Sequence, residues 1–345
     1  MSNNNTNYDY IRSQIKIPLK YNDLNRILPN LDIEMMSYED NYFTFDLPVP
    51  FGKATDEGRL FIYPIKMKDY NKFMSATQCL MLEKPKTVDP SLGKDKIREF
   101  LAMTNLDYLI YTLNQENGPQ YAYWLNTIIE LCLHVQNQVK CVTCGEKISY
   151  DEYIKLLNES KKENDDNTNP VSVICPHCHN QSDFMPIIRY NTDSSTGRKI
   201  LIIDNVEIND VDYERLRKII LFQNLPDFRV DTFVDENLKK DYEKRMEIKT
   251  NKAGVATLED KINAVSVFFH LIDESQIYEM TIRKFLKKFT TMDDLMMWKF
   301  QMNSLYSGFS SIKAKDINNW IYKPEVDMYG DIYQDFDAYT RKVNS

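Results

Sequence analysis

The chain has 345 residues, enough for two or three domains, and its hydrophobic fraction of 43% is ordinary for globular proteins. A net charge of −8 argues against a nucleic-acid coat protein or a polybasic membrane binder, because both need clustered Lys and Arg. The sequence has no run of about 18 apolar residues, so we expect no membrane span.

The first 140 residues combine short strands with amphipathic helices. Apolar residues at the spacing of each structure predict two strands and three helices, over 42–45, 60–65, 68–81, 97–113 and 121–139. The two strands are expected to form a hairpin. The last helix is long and apolar, so we expect it to be the central buried helix and to lead directly into Cys141. We interpret His134, which lies on it, as a hydrogen-bonded helix histidine rather than a metal ligand or catalytic base.

Two Cys-x-x-Cys pairs follow this helix. Cys141 and Cys144 form the first pair, and Cys175 and Cys178 form the second after a gap of thirty residues. Each pair can fold as a tight turn that places two thiolates about 2.3 Å from one tetrahedral zinc ion. The spacing therefore predicts a structural Zn²⁺ site, a four-cysteine zinc ribbon with no open position for water or substrate.

Other interpretations of the cysteines are weaker. The pairs resemble a redox dithiol less than a metal site, and His177 or His179 can replace a cysteine ligand, although four thiolates suffice. The remaining cysteines, Cys79 and Cys132, lie in apolar helical patterns and are predicted to be buried thiols. This usage suits a reducing compartment.

Beyond the first pair, the chain alternates between a small sheet and helices. Residues 150–157 form a predicted helix between the pairs, and 184–190 with 199–203 form a hairpin after them. Further helices are predicted over 211–223, after 257, 281–289 and 292–306, with Asp210, Thr257 and Thr281 as N-caps. The methionine and aromatic residues over 280–309 suit either a promiscuous binding groove or core, and we interpret them as core. The C-terminal tail alternates acidic and aromatic residues, which suits either an arm that orders on a partner subunit or a disordered segment.

We expect no enzymatic activity. The nine glycines form neither a dinucleotide-binding G-x-G-x-x-G nor a P-loop, and no G-x-S-x-G is present. No carboxylate, histidine and nucleophile combine in a coherent pattern. The site prediction is therefore limited to the metal ligands Cys141, Cys144, Cys175 and Cys178.

Several segments of the chain carry a resemblance to a known family. They are 60–73 (LFIYPIKMKDYNKF), the four-cysteine ribbon, 208–224 (INDVDYERLRKIILFQN), 280–285 (MTIRKF), 305–308 (LYSG) and Trp320. Together they resemble baseplate hub and tail-assembly proteins of contractile-tailed bacteriophages. The resemblance covers roughly residues 60–322. It implies a non-enzymatic structural or assembly protein of the virion, located in the tail or baseplate after assembly in the host cytoplasm. Its implied partners are other tail and baseplate proteins in a multi-subunit assembly.

The alternative function is a zinc-ribbon factor that binds nucleic acid or RNA polymerase. Such a ribbon needs a basic surface, whereas residues 141–200 contain seven Lys and Arg against nine Asp and Glu, a net charge of −2. We therefore expect no nucleic-acid partner.

The predicted fold class is α+β, mainly helical, with an inserted four-cysteine zinc ribbon and β-hairpin. Four regions are expected: an N-terminal α+β domain, a central helix plus zinc ribbon, a helical domain and an acidic-aromatic tail, over 1–120, 121–205, 206–322 and 323–345.

Overall fold

The computed structural model describes nine stretches of the chain: 34–52, 59–84, 94–163, 173–192, 197–226, 256–271, 273–307, 317 and 320–321. The chain divides into two units. The first contains Met1–Asp231 together with Thr281–Arg283, and the second contains Thr232–Met280 together with Lys284–Ser345. Within the described stretches, no helix is both long enough and apolar enough to cross a membrane.

The first unit mixes helices with short antiparallel strands. Its helices are α1 (34–41), α2 (Tyr70–Leu80), α3 (Lys94–Ala102), α4 (Asn105–Leu113), α5 (Gly118–Leu133), α6 (Tyr150–Glu163) and α7 (Asp210–Asn224). Its strands are β1 (Val49–Phe51), β2 (Leu60–Ile62), β3 (Gln138–Cys141), β4 (Lys147–Ser149), β5 (Val173–Ile174), β6 (Gln181–Ser182), β7 (Phe184–Pro186), β8 (Ile188–Thr192), β9 (Lys199–Ile203) and β10 (Val206–Ile208).

The strands form four small sheets, in the orders β1-β2, β4-β3-β7, β5-β6 and β10-β9-β8. Every pairing is antiparallel. The mixed helical and sheet architecture, with strands around the cysteine pairs, confirms the predicted fold class. The predicted hairpin beyond the ribbon forms between β8 and β9. The predicted strand over 184–190 is two strands, because β7 pairs with β3 while β8 pairs with β9.

The helical core of the first unit lies between α2 and α5. Phe73 on α2 and Ile128 and Ile129 on α5 are almost fully buried. Burying each such side chain stabilises the fold by roughly 1.5–3 kcal/mol. These side chains come from the apolar faces that the helical spacing predicted, so this part of the core could be predicted from the sequence.

Helix α5 ends earlier than predicted. Leu133 is its last residue, and His134 adopts the left-handed conformation at its C-cap, with φ of 55°. The His134 ring stacks on Tyr63, with ring centroids 4.1 Å apart. The chain then changes direction, and Gln138–Cys141 form β3 instead of extending the helix. Apolar residues at 135 and 139 suit both a helix and a strand, so hydrophobic periodicity could not distinguish the two structures.

Two further predictions for the N-terminal region are wrong. Residues Phe43–Phe45 form a 3-10 turn rather than a strand, and the strand that pairs with β2 is β1. The predicted helix over 97–113 is two helices, because the Thr104 hydroxyl caps the amide of Asp107 at the start of α4. A capping box of this kind begins a new helix even where apolar spacing continues.

Helix α7 is buried around most of its circumference, including its charged residues. Glu214 and Arg217 form an ion pair of 3.2 Å, and both side chains are about 95% buried. Asn105 donates to Glu214 at 2.7 Å, while Arg217 also donates to the carbonyl of Leu80 and reaches Glu83 at 3.0 Å. Burial of these polar groups is tolerated because they satisfy one another.

The first turn of α7 differs from its prediction. Asn209, not Asp210, is the N-cap, accepting hydrogen bonds from the amides of Val211 and Asp212. The Asp210 carboxylate instead lies buried, where it contacts Arg198 and accepts from the Thr104 hydroxyl at 3.1 Å. Burial raises the pKa of Asp210 to about 6, and the contacts with Arg198 and Thr104 only partly oppose that rise.

This raised pKa predicts a pH dependence of stability. A carboxyl whose pKa is higher in the folded state binds its proton more tightly there, so its contribution is greatest at low pH and declines between about pH 4 and pH 6. We expect Asp210→Asn to remove this decline, which is on the order of 3 kcal/mol for a shift from 3.8 to about 6. Urea unfolding at pH 4.5 and pH 7 should detect about 2 kcal/mol of this decline, because the decline has already begun at pH 4.5.

Asp212→Asn is the matched control, because Asp212 lies in the same turn with a side chain 24% exposed against 4% for Asp210. The control should keep the wild-type difference between the two pH values. Equal pH dependence in both variants would contradict the role of Asp210.

The tripeptide Thr281–Arg283 belongs to the first unit although it lies far along the chain. Thr281 donates to Asp46 at 2.7 Å, and the amide of Ile282 donates to the carbonyl of Ile65 at 2.8 Å. Arg283 contacts Glu39, donates to the carbonyl of Phe222 at 2.6 Å, and lies over the ring of Phe43. These hydrogen bonds attach the tripeptide to segments of the first unit that are distant from it in sequence.

The second unit is helical, with α8 (Leu258–Phe268), α9 (Ser275–Tyr278) and the part of α10 (Ile282–Ser307) beyond Arg283. The predicted cap at Thr257 is confirmed, as a capping box with Asp260. The two helices predicted over 281–289 and 292–306 are one continuous helix, α10, which includes the two threonines between them.

Some predictions fall outside the described stretches. They concern the acidic-aromatic C-terminal tail, over 323–345. The division into four domains also stays a prediction.

Candidate metal centre

Two short hairpins carry the four cysteines. Strand β3 ends at Cys141, and the turn to β4 carries Cys144. The turn between β5 and β6 carries Cys175 and Cys178. Each Cys-x-x-Cys segment therefore occupies the same place in its hairpin, as a turn that directs both sulfur atoms to one side.

The two turns have the same hydrogen bonds. In the first, the Gly145 amide donates to the carbonyl of Cys141 and the Cys141 amide donates to that of Glu146, both at 2.9 Å. In the second, the His179 amide donates to the carbonyl of Cys175, and the Cys175 amide donates to that of Asn180, again at 2.9 Å. This equivalence shows that both pairs form the same kind of turn.

The residue after each pair adopts a left-handed conformation. Gly145 has φ of 78° and His179 has φ of 58°. Glycine accepts this conformation freely, whereas a residue with a Cβ is strained there by roughly 1–2 kcal/mol. The second turn therefore folds against a local penalty that the first turn avoids.

Reciprocal substitutions test this difference. We expect Gly145→Ala to destabilise the first turn by about 1 kcal/mol, through backbone strain alone, since an added Cβ meets only the Lys140 side chain at an ordinary 3.6 Å. His179→Gly should stabilise the second turn by several tenths of a kcal/mol. Thermal unfolding of the metal-loaded protein measures both. Equal signs for the two changes would contradict the assignment of strain.

The four sulfur atoms converge. All lie within 4.8 Å of one another, and those of Cys144 and Cys175 are 3.7 Å apart. A tetrahedral zinc ion with bonds of about 2.3 Å needs sulfur atoms about 3.8 Å apart. All six cysteines of the chain are free thiols. The spacing thus fits four ligands around one ion, while a disulfide needs sulfur atoms about 2.05 Å apart.

The four thiols differ in exposure. Cys141 and Cys175 are fully buried, Cys178 is half-buried, and Cys144 is exposed. One side of the cluster is therefore covered by protein, and the other faces solvent.

Neighbouring groups shift the pKa values of two of the cluster thiols in opposite directions. Burial raises the pKa of Cys141, but hydrogen bonds with the Ser182 hydroxyl and with Cys144 and Thr143 lower it by more than burial raises it, to about 6. For Cys144 the backbone of Glu146 lowers the pKa, yet burial and the three neighbouring thiols outweigh it and raise the pKa to about 12. The two thiols therefore interact strongly, as expected for sulfur atoms within 4.8 Å of one another.

Ser182 is the functional residue that the sequence did not reveal. Its hydroxyl lies 3.2 Å from the Cys141 sulfur and 2.8 Å from the Thr143 hydroxyl, and it accepts from the Thr143 amide. The Val142 amide adds a bond of 3.0 Å to the carbonyl of Asp183. These contacts tie the first turn to the strand that follows the second pair. A serine four residues beyond a cysteine pair has no distinctive pattern.

The two histidines near the second pair lie outside the cluster. His177 and His179 are exposed, and among the described residues the ligand group consists of the four cysteines. His134 is likewise absent from this group.

The turns are held by the surrounding elements. Helix α6 packs on β3, β4 and β5, and Tyr153 on this helix contacts Phe184 with ring centroids 5.3 Å apart. Lys147 pairs with Asp204 at 3.0 Å, and the Ile187 amide donates to the carbonyl of Gln138 at 3.1 Å. The ribbon is thus attached to the sheet that leads into α7.

The cysteines Cys141, Cys144, Cys175 and Cys178 can hold a metal ion. Four thiolates complete the tetrahedral coordination of zinc and leave no position for water or substrate. An ion bound by all four would therefore be structural, fixing both hairpins in one arrangement.

Comparison with known proteins gives one match. Residues 249–324 match the family model described as the YomV second domain, a phage-derived family. The match covers 76 of the 345 residues and includes α8, α9 and α10. No curated protein and no solved structure matches the chain.

Proposed function

We propose that this chain is a non-enzymatic phage protein that acts through protein–protein contacts in the baseplate hub region of a contractile tail. In this proposal, structural zinc stabilises the fold and takes no part in a reaction. The observation that carries the proposal is the match of residues 249–324 to a phage-derived domain. Segments elsewhere in the chain, over 60–73 and 208–224, add the resemblance to hub and tail-assembly proteins.

The metal centre supports a structural role rather than a catalytic one. A closed four-thiolate shell cannot activate water, and no described histidine belongs to the cluster. The conformational restriction that zinc imposes suits a protein whose surfaces must keep one shape during assembly.

The test is the location of the protein in phage particles. We expect quantitative mass spectrometry of purified virions and of separated tails to find this chain at a fixed copy number per particle. Antibody labelling should place it at the baseplate end of the tail. Absence from virions and from tail intermediates would contradict the proposal, and a constant amount in intermediates alone would restrict it to assembly.

The alternative is a zinc-ribbon factor that binds nucleic acid or RNA polymerase, which the ribbon itself suggests. The charge around the cysteines opposes it, because residues 141–200 carry a net charge of −2 and phosphate binding needs Lys and Arg. A salt-dependent mobility shift of DNA or RNA by the full-length protein, lost in Cys175→Ser, would favour this alternative. We expect no shift at 150 mM salt.

A further inference from the structure

The four thiols of the cluster differ in their access to solvent. Cys144 is exposed, Cys178 is half-buried, and Cys141 and Cys175 are buried. Oxidation of a thiol depends on its exposure as well as on its thiolate character. An oxidant dissolved in water therefore reaches the sulfur of Cys144 before the sulfur atoms of its three neighbours.

The remaining two cysteines are protected from such an oxidant. Cys79 on α2 and Cys132 on α5 are fully buried, and burial raises the pKa of both thiols above its ordinary value. A buried neutral thiol is a poor nucleophile, so we expect modification to be concentrated at the cluster.

A partner for an oxidised Cys144 lies in the second turn. The Cys144 sulfur is 3.7 Å from the sulfur of Cys175, whereas a disulfide needs about 2.05 Å. Closing this gap takes a movement of about 1.7 Å, which rotation of the two side chains within their turns can supply. The two turns are therefore close enough to be joined without separating the hairpins that carry them.

The other cysteine of the first turn is held more firmly. Cys141 is the last residue of β3, opposite Phe184 on β7, and its sulfur lies 3.2 Å from the Ser182 hydroxyl. Cys144 lies beyond the strand pairing, in the turn between β3 and β4. A sulfur that shares its electron density with a hydrogen-bond donor attacks more slowly, so Cys175 is the better attacking group of the two buried cysteines.

We propose that peroxide converts this cluster into a disulfide between Cys144 and Cys175, which joins the two turns as zinc leaves. This modification rests on zinc binding as part of the proposed function, but it does not rest on a location in a phage tail.

The reaction balances with hydrogen peroxide as the oxidant. The Cys144 sulfur attacks one peroxide oxygen, a sulfur–oxygen bond forms as the oxygen–oxygen bond breaks, and the departing hydroxide takes up a proton. The Cys175 sulfur then attacks the sulfenic acid, so the disulfide forms as the sulfur–oxygen bond breaks and a second water leaves. The two sulfur atoms together lose two electrons to the peroxide. Zinc keeps its charge and dissociates, because two of its four ligands are consumed.

The disulfide keeps the ribbon closed in the absence of metal. It connects the β3–β4 hairpin to the β5–β6 hairpin across thirty intervening residues. A disulfide stabilises mainly by restricting the unfolded chain. Amide hydrogen exchange over 138–149 and 173–186 should therefore be slower in the oxidised protein than in the chelated, reduced protein.

Peptide mapping of the full-length, zinc-loaded protein tests the pairing. After treatment with hydrogen peroxide, the remaining thiols are blocked with N-ethylmaleimide and the protein is digested with trypsin. Peptide 141–147 contains Cys141 and Cys144, and peptide 163–189 contains Cys175 and Cys178. We expect a disulfide between these two peptides, with the blocking group on Cys141 and Cys178. A metal-sensitive dye should detect one zinc ion released for each link formed.

Two variants control this experiment. Cys132→Ser removes a buried thiol outside the cluster, so it should leave the yield of the link and the release of zinc unchanged. Ser182→Ala removes the hydroxyl beside Cys141, so a disulfide within peptide 141–147 should increase at the expense of the link between the peptides. An unchanged ratio of the two products would contradict the selection of Cys175 by this hydrogen bond.

The zinc content before oxidation separates this modification from the metal assignment. Zinc-loaded protein that forms a disulfide only within peptide 141–147, or that keeps its zinc after peroxide treatment, would overturn the proposal while the metal assignment stands. Protein that is purified without zinc and still forms the link between the peptides would support the pairing and contradict the metal assignment.

Discussion

Removal of zinc should unfold the region around Cys141 and Cys175 while the helical core of the first unit persists. Structural zinc contributes about 10–16 kcal/mol in small zinc domains, more than a ribbon of this size can replace by burial. We expect chelation, or the substitution Cys175→Ser, to release one zinc ion per chain. Amide hydrogen exchange should become fast over 138–149 and 173–186, whereas the amides of α2 and α5 should stay protected.

Cys132→Ser is the matched control for this experiment. Cys132 is also fully buried, but it lies on α5 outside the thiol cluster. This variant should lose stability through its buried hydroxyl while keeping a full equivalent of zinc. Purified wild-type protein that contains no metal, or a ribbon that stays protected after chelation, would contradict the metal assignment.

Arg217→Met should destabilise the first unit by about 3–5 kcal/mol, a large part of the 5–15 kcal/mol typical of a folded domain. The substitution leaves the Glu214 carboxylate buried, with Asn105 as its remaining partner among the bonds described above. It also removes the donor to the carbonyl of Leu80. Urea unfolding followed by circular dichroism measures the loss.

A double substitution separates the buried charge from the lost packing. Glu214→Gln with Arg217→Met removes both charges, so we expect the pair to be more stable than Arg217→Met alone. Arg215→Met, on the same helix but with a side chain 17% exposed against 6% for Arg217, should cost less than Arg217→Met. A cost of about 1 kcal/mol or less for Arg217→Met would show that the Glu214–Arg217 pair is solvated.

The sequence predicted best where one local pattern decided the structure. Helix α2 came from its apolar spacing, and the cap at Thr257 came from the Thr-x-x-Asp pattern. Prediction was poorer where two structures suited the same residues, as for 135–139, which were assigned to a helix although β3 begins at Gln138. The sequence analysis also did not predict that α10 is continuous. The residues between its two halves neither require a break in the helix nor rule one out.

The exposed apolar residues of α10 illustrate the limit of apolar periodicity. The interpretation of Met296, Met297 and Phe300 as core is wrong, because each side chain is more than half exposed. Spacing indicates that they share a helix side, but it does not show whether another element covers that side. The charged residues of α7 show the converse limit. Charged residues such as Glu214 and Arg217 are usually exposed, but these two are buried because partners from distant segments satisfy them.

The four cysteines could be recognised as one candidate site without a fold, because two Cys-x-x-Cys pairs restrict both the local turns and the chemistry. The residues that surround the cysteines became apparent in the three-dimensional structure. The contacts of Ser182 and Asp183 with the first turn, and of Thr281–Arg283 with segments near residues 39–65, join residues separated by about 40 to 240 positions. Such contacts depend on the packing of whole elements, and local patterns carry no record of them.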